Sequence, residues 1–223
     1  MTVFHDELQS LNELILNMGC LVEEAIKHSI LALTDRNNAL AQTVLDKEPL
    51  IDAFDVEIDE ECIRLIALRE PKAADLRFIT TAMKVTSELE RMGDLAVNIA
   101  ERAIELNTEP KLKPYIDIPK MSEIAQGMTR DVLAAFVRRD AQAAAAVIAR
   151  DDEIDQLNLA VIRELSFLTN QDPSGINRAI KISFVAHYLE RIADHTTNIA
   201  EMLIYLVKGT NIKHVILPPD NEK

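Results

Sequence analysis

The sequence predicts an all-α protein built as two tandem antiparallel three-helix bundles, six helices in total, and three observations carry that prediction. Glycine (5) and proline (8) make up only 13 of 223 residues, too little turn chemistry for a many-stranded sandwich or barrel. Apolar residues recur at three- and four-residue spacing over long stretches, the period of an amphipathic helix. The second half of the chain then repeats the first, which makes the architecture a duplication.

Each element follows from this spacing. From Leu8 the positions Leu11, Leu14, Ile15, Met18, Leu21, Val22, Ala25 and Ile26 form one stripe, and the first helix runs to about Thr34. Asp35-Arg36-Asn37-Asn38 supplies turn and N-cap chemistry, after which Ala39 to Glu70 resumes the pattern with Pro49 as a local kink or restart. A third helix follows Pro71 and ends near Asn107. Glu109 to Lys120 holds three prolines and reads as a linker. Three more helices are expected over Met121 to Arg138, Ala141 to Thr169 and Ser174 to Lys208. The expected organisation is therefore a first bundle over 1–109, a linker over 110–120, a second bundle over 121–208 and a tail over 209–223, where Pro218-Pro219 favours fraying.

The duplication is visible residue by residue. Leu89 to Glu101 (LERMGDLAVNIAE) and Leu189 to Glu201 (LERIADHTTNIAE) agree at eight of thirteen positions with a shift of 100. The second helices align at a shift of 103, which sets Val44 on Val147, Ile51-Asp52 on Ile154-Asp155 and Glu61 on Glu164. The difference of three residues falls in the loop that carries Pro71 or Pro173, where length changes are cheap.

Composition excludes several classes. With 48% hydrophobic and 27% charged residues the chain is not disordered, and with 4% aromatics and no Trp its core must be built from Leu, Ile, Val, Ala and Met. A net charge of −13 repels nucleic-acid phosphates and anionic membrane surfaces, so no nucleic-acid partner is expected. Cys20 and Cys62 are too few for a disulfide framework or a Cys-x-x-Cys zinc site and are read as small core residues. His5, Asp6 and Glu7 stand where a secretion signal would have its basic start and apolar run, and no stretch of about 18 apolar residues occurs, so a cytoplasmic protein without membrane insertion is expected.

The chemistry-bearing motif is a carboxylate pair four residues apart on a helix, which projects both groups from one face within reach of one cation. With acids at 37 of 223 positions, such pairs arise by composition alone. Recurrence in register is different: Glu48 with Asp52 corresponds to Asp151 with Asp155, and Glu90 with Asp94 to Glu190 with Asp194. A solvated helix face drifts freely after duplication, whereas the Glu-Arg-x-x-Asp-x-x-x-Asn-Ile-Ala-Glu segment kept its polar residues while the apolar pair Met92/Ile192 varied. Clustered carboxylates are hard oxygen donors suited to magnesium, manganese, calcium or iron, and mixed oxygen sites also hold zinc. Asn98/Asn198 and Glu101/Glu201 extend the stripe as outer ligands or supporting partners, and Arg91 and Arg191 as charge partners. His187 and His195 could ligate, though polar filler is the plainer reading of both. A ferritin-like di-iron oxidase would need Glu-x-x-His, which occurs nowhere in the chain. Neither a phosphate-cradling glycine loop nor a nucleophile elbow is present, and the alternative to a non-enzymatic role is a carboxylate-bridged metalloenzyme of the helical-bundle type.

The tandem halves, the two Leu-Glu-Arg-[Met/Ile]-x-Asp-x-x-x-Asn-Ile-Ala-Glu segments and Asp75-Leu76-Arg77 after Pro71 resemble the PhoU family over about residues 3 to 210. The resemblance implies two three-helix bundles side by side, each with a metal centre. Glu48, Asp52, Glu90 and Asp94 would be the ligands of the first, and Asp151, Asp155, Glu190 and Asp194 those of the second. The implied metals are divalent or trivalent ions such as iron, zinc, manganese or magnesium. The implied role is negative regulation of phosphate-starvation signalling, with the phosphate importer's ATPase subunit and a phosphate-sensing histidine kinase as partners that recruit the protein to the inner face of the membrane. A homodimer is the expected assembly. Pro49 departs from the pattern, since the second half has Asp152 there. A helix restarting at Pro49 would leave Glu48 as a cap that points away from Asp52.

Overall fold

Long amphipathic helices account for nearly all of the chain in the computed structural model, which describes residues 3–209. Helix α1 (Val3–Thr34) buries Leu8, Leu11, Ile15, Met18, Val22 and Ile26, the stripe expected from spacing, and begins one turn earlier than the pattern suggested. Arg36 takes a left-handed φ of 55°, and Asn37 then caps α2 (Asn38–Arg69) by accepting from the Ala39 amide at 3.1 Å. Helix α2 runs through Pro49 without a break. Helix α3 (Ala73–Asn107) closes the first bundle and ends where the Thr108 hydroxyl donates to the Glu105 carbonyl at 2.7 Å.

The connection that follows is strapped down. Lys111 Nζ donates to the Thr34 carbonyl at 3.0 Å, Arg178 Nη1 donates to the Pro110 carbonyl at 3.1 Å, and the buried Lys113 pairs with Glu164. Helix α4 spans Asp117–Arg138, which shortens the expected linker. Pro119 sits in its first turn, where amides have no intrahelical acceptor and a missing N–H costs nothing. The fifth predicted helix is two pieces, α5 (Ala141–Ile148) and α6 (Asp151–Gln171). Asp140 caps α5 by accepting from the Gln142 and Ala143 amides, both at 3.0 Å. A 3-10 turn, Pro173–Gly175, leads into α7 (Ile176–Lys208), which ends at Gly209 with φ 70°. The tail beyond Gly209, expected to fray, lies outside the described residues.

The two bundles, α1–α3 and α4–α7, are joined by α1 against α4 and α3 against α7. The buried apolar residues of both form one continuous cluster. Phe78 of α3 stacks on Phe136 of α4 with ring centroids 5.7 Å apart. Gly19 of α1 lies under Leu133 of α4 so closely that a β-carbon there would stand 2.2 Å from Leu133 Cδ1. Between α3 and α7 the Glu88 carboxylate receives Nδ1 of His195 at 2.6 Å and Nδ2 of Asn198 at 3.1 Å. Cys62 is a core residue as expected, with its thiol pushed up to about 12 by burial. Cys20 is exposed instead, because it lies off the buried stripe of α1. Among the described residues no helix is long and apolar enough to cross a membrane.

Candidate metal centre

In the second bundle the carboxylates come from α6 and α7. The break before α6 places Asp151, Asp152 and Glu153 in its first turn, where free amides favour negative charge. Arg150 fixes that break by lying across α4, with Nη1 2.8 Å from Asp131 Oδ2. Gly127 leaves room for it, since a β-carbon there would stand 2.8 Å from Arg150 Nη2. Asp151 lies within electrostatic reach of Asp155 of its own helix and of Glu190 and Asp194 of α7. Burial, then the charges of Asp194, Asp155, Asp152 and Glu190, push its carboxyl up to about 6. Burial and Asp194 raise Glu190, with His187 opposing. Burial and Asp155 raise Asp194, with His195, Arg191 and His187 opposing.

The first bundle repeats the arrangement with α2 and α3. Because α2 continues through Pro49, Glu48 stays one helical turn from Asp52 on the same face, and the restart that would have turned it away does not occur. Burial, then Asp52 and Asp94, raise the Glu48 carboxyl. Burial, then Asp94, Asp55 and Asp52, raise Glu90 against the pull of Arg91, and burial with Asp52 raises Asp94. All eight predicted carboxylates thus fall into two groups of four that meet electrostatically, one per bundle.

A carboxyl that burial and like charge hold above its ordinary range gains from any cation that replaces its proton. Asp151 Oδ1 and Asn158 Oδ1 are buried without a hydrogen-bond donor, and the buried Glu190 Oε2 has only Nδ1 of His187 beside it, at 3.0 Å. A further such oxygen, Asn12 Oδ1, is on α1. Unsatisfied buried oxygens call for a partner, and hard donors of this kind fit magnesium, manganese, calcium or iron. Among the described residues no three Asp, Glu, His or Cys side chains converge on one point as they stand, so an ion would have to draw these carboxylates inward.

Several expected companions do other work. His195 and Asn198 are committed to Glu88. Burial acts to raise that carboxyl, but the hydrogen bonds from His195 and Asn198 outweigh it and hold the group below its usual value. Glu101 stands 3.7 Å from Arg102 on its own helix. Asp55, which helps to raise Glu90, was not among the predicted ligands, although its position three residues after Asp52 and seven after Glu48 is a helical signal for the same face.

The family model for the PhoU domain matches twice, at residues 15–103 and 118–203. A protein of Aquifex aeolicus called "Phosphate-specific transport system accessory protein PhoU homolog" is 47% identical over 208 residues, 93% of this chain and 94% of that one. The Escherichia coli protein called "Phosphate-specific transport system accessory protein PhoU" is 32% identical over 212 residues, 95% of this chain and 88% of that one. The crystal structure of PhoU from Pseudomonas aeruginosa superposes with a TM-score of 0.89 at 39% identity, covering 93% of this chain and 100% of that one. That of the phosphate transport system regulatory protein PhoU from Streptococcus pneumoniae gives 0.86 at 31% identity, covering 93% and 98%.

Proposed function

This chain belongs to the PhoU family, and from that premise we propose that it is a regulatory accessory protein of phosphate uptake that represses phosphate-starvation signalling by linking the phosphate importer to a sensor histidine kinase. The observation that carries the reading is the extent of the likeness: both bundles match, and the curated relatives and solved structures are matched over most of their own length. Those relatives bear the names of accessory or regulatory proteins, and the chain is not an enzyme. The expected partners are the importer's ATPase subunit and the phosphate-sensing kinase, met at the cytoplasmic face of the membrane, with a homodimer as the working assembly. An acidic chain without a spanning helix reaches that surface through protein contacts.

Metal belongs to the same reading. Glu48, Asp52, Glu90 and Asp94 would hold ions in the first bundle and Asp151, Asp155, Glu190 and Asp194 in the second, supported by the raised carboxyls and the orphaned oxygens. The cation would supply positive charge that holds α2 to α3 and α6 to α7, stabilising the folded state by mass action. The test is a strain lacking the gene, grown in abundant phosphate. Derepression of the phosphate-starvation response is expected, together with its restoration by the wild-type chain; a response that stays repressed overturns the regulatory role. Elemental analysis of Glu190→Ala/Asp194→Ala should show loss of the second centre's metal alone.

A further inference from the structure

Helices α3 and α7 lie antiparallel along the seam in a single register. Arg77 Nη1 would stand 3.2 Å from a β-carbon on Gly209, Glu88 accepts from Asn198, and Lys181 pairs with Glu105 at 3.4 Å, so each step forward along α3 is matched by an equal step back along α7. The two ends of this seam treat their charges differently. At the end where α3 stops, Arg102 pairs with Glu105 at 2.9 Å and Lys181 with Glu109 at 3.2 Å. Toward the other end a groove of about 580 Å³ is lined by Lys84, Ser87 and Arg91 of α3 and by Glu201, Met202 and Tyr205 of α7. Arg77, Lys84 and Arg91 recur at seven-residue intervals on one face of α3, and Lys208 ends α7 next to Gly209. All four cations are exposed, and among the described residues none of them makes an ion pair within 4.0 Å. Under the shift of 100 the row becomes Asn177, Phe184 and Arg191, so it belongs to one half of the seam alone.

We propose that this groove is the docking site for an acidic amphipathic α-helix of a partner protein, whose carboxylates at seven-residue spacing are set against Arg77, Lys84 and Arg91. The proposal rests on the reading that the chain acts through protein contacts. A row of unpaired cations in a chain of net charge −13 raises a local positive field that draws a negatively charged partner. Spacing selects the form of that partner. Seven residues of helix rise about 10.5 Å on both sides of the interface, so a helix with one acid per heptad meets all three cations in step. An extended strand covers the same distance in about three residues while its side chains alternate faces, so successive acids would point away. Met202 and Tyr205 supply apolar surface for the docked helix's own apolar stripe. Glu88 is already engaged by His195 and Asn198, which leaves Glu201 as the opposing carboxylate of the lining. A flat bilayer would meet only the rim of such a groove.

The experiment is fluorescence anisotropy of a labelled synthetic helix of about four heptads, with one Glu and one Leu per heptad in an alanine-rich frame, titrated with the full-length chain at low ionic strength. It should bind about tenfold tighter than a scrambled peptide of the same composition, and Arg77→Glu/Lys84→Glu should remove that advantage. Replacing each Glu of the peptide by Lys should restore binding to the charge-reversed chain and abolish it for the wild type. Circular dichroism checks that the variant keeps the wild-type helicity. Equal binding of the two peptides by the wild type, or binding that the reversal leaves unchanged, overturns the proposal. So does binding gained only in Asp220→Lys/Glu222→Lys, which would make the chain's own tail the occupant. Wild-type binding to phosphatidylglycerol vesicles without binding to the Glu helix overturns it as well, in favour of a lipid surface. None of these outcomes bears on the deletion-strain test of the regulatory role, so a failure here is distinct from a failure there.

Discussion

Asp151 carries a conflict between position and charge, and pH should expose it. Its carboxyl lies near 6 in the folded chain against an ordinary value of 3.8. Between those values the folded state holds a proton that the unfolded chain has released, so this group adds stability as pH falls from 7 through 6 toward 4, opposite to a salt-bridged carboxylate. Glu7, held low by hydrogen bonds from Arg69 and Arg64, and Glu88 work in the other direction, so the readout must be a difference. In metal-free protein Asp151→Asn should be more stable than wild type at pH 7, by about 1–2 kcal/mol after allowance for solvent screening at a half-buried site. The gap should close by pH 4. Denaturant unfolding along a pH series measures it, and a gap independent of pH would show that Asp151 is not strained.

Helices answer to their neighbours as well as to their own spacing, and Gly19 is the sharpest instance. Glycine in a helix interior costs about 1 kcal/mol relative to alanine, yet Gly19→Ala should destabilise the protein by about 1–3 kcal/mol, because the added methyl enters the space of Leu133 in a packed seam. Thermal unfolding decides it, and a gain in melting temperature would mean that Leu133 moves aside freely. The same dependence explains what the sequence disclosed. Apolar periodicity and turn residues placed every helical rod but the fifth, which is two helices, and recurrence in register singled out the eight carboxylates as candidates. Pro49 misled because its cost is local and the packing of α2 on α1 and α3 overrides it. The break at Ala149-Arg150 went unseen for the converse reason: no glycine or proline announces it, and what holds it is a contact with Asp131 and Gly127 of another helix. Asp55 was legible as part of the Glu48–Asp52 stripe but stood outside the repeated motif, since its counterpart is Asn158.

Taken whole, the molecule joins two repeats through surfaces that each leaves apolar. The seam of α1, α3, α4 and α7 is continuous with both cores, so removing one bundle would bare the inward faces of two helices in the other. The described residues should therefore unfold in one cooperative transition, with calorimetric and van't Hoff enthalpies in agreement. Two resolved transitions would mean that the seam contributes little and that the bundles are separate domains.

The hydrogen bond between Glu88 and His195 has a consequence for the ancestry of the fold. Under the shift of 100, Glu88 corresponds to Tyr188 and His195 to Leu95, so the equivalent pair of positions holds a tyrosine and a leucine in place of a carboxylate and an imidazole. A chain made from two copies of the first half would set Glu88 against Leu95 and bury a carboxylate without a partner. One made from two copies of the second would set His195 against Tyr188. Neither half can any longer stand in for the other: what began as a doubled gene segment has become a pair of specialists, each holding the complement that the other lost.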